Sequence, residues 1–164
     1  MEDIAYALSI RQPWAALIVA GHKTIEVRTW STQRRGPIWI HASKLPDPRA
    51  EAWAHINTPD LMIAASRIGG LIGIADLIDC IVYPAMEPFA RDCKFHLNER
   101  EWFQPPQLYG FRFDAARPVL FQPYVGKTLF FPLSIVPIAA VERPVPPSET
   151  RILVRPPEYE EPLP

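Results

Sequence analysis

The stretch LSIRQPWAALIVAGHKTIEVRTW, Leu8 to Trp30, holds a strand, a helix and a second strand in 23 residues. In LSIR, Leu8 and Ile10 alternate with Ser9 and Arg11, the period of a half-buried strand. QPWAALIVAG then changes period. Trp14, Leu17 and Ile18 recur at i, i+3 and i+4, giving one apolar helical face. Pro13 suits the first helical position, where its missing N–H goes unused. Gly21 suits the end, because glycine reaches the left-handed cap without strain. The spacing therefore predicts a short helix over 12–21. TIEVRTW returns to alternation, with Ile25, Val27 and Thr29 on one face and Thr24, Glu26, Arg28 and Trp30 on the other.

Outward from this unit, PIWIHAS reads as a strand with Ile38 and Ile40 opposite Trp39, His41 and Ser43. LPDPRAEAWAHI reads as a loop opening a helix near 48–56. GGLIGIADLIDCIVY, residues 69–83, is a long apolar strand expected at the centre of a sheet. Residues 85–102 are mixed and helical in character. LYGFRFD, PVLFQPYVG and LFFPLSIV supply further strands. Six or seven strands with two or three short helices predict an α+β fold, a small, partly closed mixed or antiparallel β-barrel with helices at its ends. No strand–glycine loop–long helix unit supports a doubly wound sheet.

The 164 residues are 48% hydrophobic, enough for one domain with a core. The net charge of −1 argues against a polycation, but residues 1–45 carry six basic against three acidic side chains, a local +3. Cys80 and Cys93 have no metal-ligand spacing. The acidic start MEDIAY has no signal-peptide character, and the longest apolar run, 129–141, is short for a membrane span and holds two prolines. These features lead to the expectation of a cytoplasmic protein away from membranes. Seven of the twenty prolines lie in residues 142–164, which are expected to form an extended tail after a domain over 1–141. Such a tail is a candidate ligand for a protein partner.

No P-loop, dinucleotide fingerprint, HExxH or GxSxG is present, and His22, His41, His55 and His96 are scattered. No metal or cofactor is expected. What remains is the face carrying Glu26, Arg28 and Trp30, with Lys23 in the turn before it. On a solvated face this is an ion pair of about 0–1 kcal/mol. In a cleft, Lys23 offers a base or nucleophile, Glu26 an acceptor or general base, and Arg28 a bidentate anion partner. Trp14, Trp30 and Trp39 are open to either packing or stacking on a base. His41 and Ser43 continue the Trp39 face, Arg11 stands beside the helix start, and the helix N-terminus itself is open to anions. Asp76, among isoleucines, must be paired or face a cavity, as a structural partner for Arg28 or in a site.

Taken in order, LSIRQPWAALIVAGHKTIEVRTW, RRGPIWIHASK, GLIGIADLIDC and GFRFDAARPVLFQPYVGKTLFFPL resemble the ASCH domain (activating signal cointegrator homology) of the PUA-like superfamily, over about residues 5–136. The most specific element is the GxKxxExR run of Gly21, Lys23, Glu26 and Arg28 after the QPW-initiated helix. The resemblance implies a PUA-like β-barrel whose cleft, lined by that run, binds RNA, other nucleic acid or a nucleotide-like ligand. It also implies ties to transcription or RNA processing. One bacterial branch hydrolyses N4-acylated cytidine with a Lys, a Thr nucleophile and a Glu. Lys23 matches the Lys, Glu26 stands where the Thr is needed, and Glu87 is a candidate for the Glu. The missing Thr argues against that chemistry, leaving a Lys23/Glu26 pair acting through water as the enzymatic alternative.

Overall fold

The computed structural model describes residues 4–134. The element order is β1 (Tyr6–Ile10), α1 (Trp14–Val19), β2 (Ile25–Arg28), β3 (Gly36–Ala42), α2 (Ala50–Trp53), α3 (Pro59–Ala65), β4 (Gly70–Tyr83), α4 (Met86–Arg91), α5 (Cys93–His96), a 3-10 turn (Arg100–Trp102), β5 (Leu108–Pro123) and β6 (Phe130–Pro132). Six strands form one mixed sheet in the order β2-β5-β4-β3-β1-β6. Its single parallel pair is β1 with β3, in register Ser9 to His41.

The long apolar strand is central, as expected, flanked by β3 and β5. The segments LYGFRFD and PVLFQP are not two strands but one 16-residue strand, β5. Its ladder with β4 shifts register at three places. Each shift adds local twist and bends the pair, so that two long strands curl instead of lying flat. The curl brings β2 round toward β1 and β6. Among the described residues no backbone ladder joins these edges, so the barrel is open along one seam. Side chains span it. Arg28 on β2 donates to the Ser9 carbonyl on β1 at 2.7 Å, and Trp30 packs edge-on against Phe111 and Phe130.

The helix after β1 is shorter than its apolar pattern suggests. Pro13 is its N-cap, and the turns begin at Trp14. All six helical residues are buried, packed with Leu8, Ile10, Ile38, Ile40, Leu77 and Phe111 in the main core. Gly21 ends the helix at φ 79°. Its N–H reaches the Ile18 carbonyl and the His22 N–H reaches that of Leu17, the paired bonds of a Schellman cap. The helix expected over 48–56 is one turn, Ala50–Trp53. A further helix, α3, follows, its signal being Thr58 and Pro59: the Thr58 hydroxyl accepts from the Leu61 N–H at 3.3 Å. Residues 85–102 resolve into two short helices and a 3-10 turn. No helix among the described residues is long and apolar enough to cross a membrane. The proline-rich tail lies outside the described residues.

Candidate functional site

The open seam forms a cleft of about 910 Å³. Its walls are Ser9 and Arg11 from the end of β1, Glu26, Val27 and Arg28 from β2, Trp30 after it, and His41 and Ser43 from β3 and its end. Trp14, the 44–49 segment, Asn98 and the loop 125–129 complete it. Eight of the ten residues singled out from sequence are thus in or under one site.

Glu26 is a buried carboxylate of the wall, 8% exposed. Arg28 Nη2 lies 3.4 Å from its Oε1, and Lys23 Nζ 3.5 Å from its Oε2. The alternation of TIEVRTW does place Glu26 and Arg28 side by side. Arg28 Nε is buried without a partner. An unmet buried donor costs about 1–3 kcal/mol, and the site bears this at the residue that also bridges the seam.

Lys23 is not the exposed turn residue that its position suggests. It is 1% exposed and lies beneath the cleft, outside its lining. Nζ donates to the His96 carbonyl at 2.6 Å and stands 4.9 Å from the Trp14 ring centroid. Burial brings its pKa down to about 8; Glu26 opposes the shift without cancelling it. With its donors committed to His96, Glu26 and an aromatic face, Lys23 positions Glu26 and α5. The Thr24 N–H, which donates to the Phe95 carbonyl, stitches the same contact.

His41 is buried against Ser9. Its Nδ1 lies 2.9 Å from Ser9 Oγ and its Nε2 2.9 Å from the Tyr124 carbonyl. Burial lowers its pKa, with the Tyr124 contact acting in the opposite direction. Trp14 is both core and wall: 6% exposed, with its indole N–H on Asp47 Oδ2 at 2.8 Å. Trp30 reaches the cleft, but Phe111 and Phe130 pack against its ring.

Two candidates fall elsewhere. Trp39 keeps the face of His41, two residues on, but packs with Ala7, Leu71 and Phe131, the last also in ring contact with His41, and stays outside the cleft lining. Asp76 sits mid-sheet opposite Pro37 and Asp114, outside the cleft lining. Glu87 is exposed in the first turn of α4, also outside the lining. The helix start offers no anion site either. The N–H groups of Ala15, Ala16 and Leu17 are taken by the Arg11 carbonyl, Gln12 Oε1 and the Pro13 carbonyl.

Sequence reasoning missed Asp47 and Arg49. Arg49 grips the Asp47 carboxylate through Nε and Nη2, at 2.9 and 2.6 Å, while its guanidinium stacks 3.6 Å from the Trp102 ring centroid. This pairing holds the Asp47 carboxyl well below its ordinary range. The D-x-R spacing in LPDPRAE was the available signal, since the Arg49 N–H also bonds Asp47 Oδ1. Lys127, in a glycine-containing turn between two strands, was similarly legible. His96 and Asn98 carried none, being more than 70 residues from Lys23 in sequence. The lining holds Arg11, Arg28, Lys44, Arg49 and Lys127 against Glu26 and Asp47, a net of +3 in a chain of net −1. No group of three His, Cys, Asp or Glu among the described residues is placed to hold a metal.

A family model described as the ASCH domain matches residues 8–116. Activating signal cointegrator 1 of Homo sapiens, and that of Mus musculus, are each 37% identical over 86 residues, 48% of this chain and 15% of theirs. The chain thus matches only a small part of the length of these relatives. The crystal structure of ASCH from Zymomonas mobilis superposes with a TM-score of 0.54 at 17% identity, covering 79% of this chain and 87% of that one. A mutant of the same protein gives 0.51 at 18% identity, covering 72% and 74%. At these identities the likeness concerns the fold.

Proposed function

The chain belongs to the ASCH domain family, and on that premise we propose that it is a nucleic-acid-binding module, with RNA as its preferred ligand, which the seam cleft receives. The observation that carries this reading is a net +3 cleft whose wall holds a fixed, buried carboxylate, Glu26, between two cations. Cations at the rim attract and position a phosphate backbone but cannot discriminate between bases. Glu26, held between Lys23 and Arg28, is the acceptor suited to an exocyclic amino group. Arg11, Lys44 and Lys127 serve the backbone.

The enzymatic alternative built on Lys23 and Glu26 finds no support in the geometry, since Lys23 lies outside the cleft. An adaptor role for the tail concerns residues outside those described.

The test is RNA binding at two salt concentrations. Single-stranded binding that engages three to five cations should show a slope of log K on log salt of about −2 to −3.5. Affinity then drops about 16- to 130-fold between 50 and 200 mM. No binding to any single-stranded or structured RNA at 50 mM salt overturns the proposal.

A further inference from the structure

We propose that Ser9 and His41 form a nucleophile–base pair that hydrolyses carboxylic esters of anionic ligands held in the cleft. The two residues are register partners across the parallel β1–β3 ladder, and both line the cleft. Ser9 Oγ lies 2.9 Å from His41 Nδ1. The tautomer follows from the other ring nitrogen. Nε2 lies 2.9 Å from the Tyr124 carbonyl, which can only accept, so Nε2 carries the hydrogen and Nδ1 presents a lone pair to the serine hydroxyl. This is a nucleophile, a base and an orienting group in sequence, the geometric requirement for an activated serine. The depressed His41 pKa keeps the base unprotonated at neutral pH.

Two further features suit the chemistry. The Arg28 guanidinium is held close to Ser9 by its bond to the Ser9 carbonyl, a fixed positive charge of the kind that favours a developing oxyanion in the cleft. The loop after Tyr124 lies close over the pair. A Cβ on Gly126 would stand 2.6 Å from Ser9 Oγ and 2.4 Å from His41 Cε1, so only glycine lets the backbone approach there. The basic lining selects the anionic class of ester.

The step balances without a further reagent. Ser9 Oγ adds to the ester carbonyl as its proton passes to His41 Nδ1. The C–O bond to the alkoxide breaks, and the imidazolium returns the proton to the leaving oxygen. Water, deprotonated by the same nitrogen, then cleaves the acyl-serine and releases the acid.

The experiment is labelling of the full chain by an alkyl fluorophosphonate, with the adduct located by peptide mass spectrometry. The adduct is expected on Ser9, and not on Ser43 or Thr128 in the same cleft. It is absent in Ser9→Ala, and His41→Gln slows labelling at least about 100-fold. The labelling rate should rise with pH through the depressed His41 pKa and level off above it. No Ser9 adduct while a serine esterase control is labelled, or a Ser9 adduct indifferent to His41→Gln in a variant with wild-type circular dichroism, overturns the proposal. RNA binding measured on the same wild-type sample reports separately on the nucleic-acid reading, so either can fail alone.

Discussion

Lys23 links the stability of this fold to alkaline pH in a direction opposite to that of an ordinary surface ion pair. Its ammonium is buried, and its pKa lies at about 8 in the fold against 10.5 for an ordinary lysine. The sign follows from proton counting. Between those two pH values the unfolded chain binds more protons than the folded one, so the Lys23 contribution to stability rises with pH. At 1.36 kcal/mol per unit, a depression of this size integrates to about 2.5 kcal/mol gained between pH 7 and pH 10. Other groups titrate in that range, so the quantity to measure is a difference. Urea unfolding of wild type and Lys23→Met at pH 7, 8, 9 and 10 isolates Lys23, because Glu26 retains Arg28 at 3.4 Å in the variant. The stability of wild type relative to the variant should climb by about 2 to 3 kcal/mol across the series. A flat difference would mean that Lys23 titrates as a solvated lysine. A falling one would mean that Glu26 outweighs the desolvation. Either result refutes the reading of Lys23 as a dehydrated positioning residue.

Other outcomes follow from the same geometry. Asp47→Ala strips the acceptor from the Trp14 indole and from Arg49, and should cost about 1–3 kcal/mol in urea unfolding. His41 and His96 are buried neutral, with pKa values depressed by burial; the stability they contribute is present above about pH 6.5 and should decline as pH falls through their folded values, visible as a lower thermal midpoint at pH 5. Gly126→Ala forces a methyl onto His41 and Ser9 and should cost about 1–3 kcal/mol, read as a lower urea midpoint. Lys127→Glu, exposed on the rim, should leave the urea midpoint unchanged while reducing the salt slope of RNA binding by about 1.

The sequence determined the unit from Leu8 to Trp30 almost completely. Periodicity and a terminal glycine are local properties, and they set the strand, the helix, its Schellman end and the shared face of Glu26 and Arg28. The central place of β4 was equally legible, because the apolar run at its start needs cover on both sides, and Gly70–Ala75 is buried throughout. Where Lys23 points was not local. Its partner is the carbonyl of His96, 73 residues away, and no spacing rule reaches that far. Trp39 kept the face that alternation gives it, but the Ala7, Leu71 and Phe131 cluster that takes it up comes from three other strands, and the place of Asp76 opposite Pro37 and Asp114 was equally a matter of strand pairing. The cleft itself belongs to tertiary structure alone. It exists because β4 and β5 curl while the edge strands β2 and β6 do not pair with each other, so that Arg28 and Trp30 span the gap that backbone hydrogen bonds leave open.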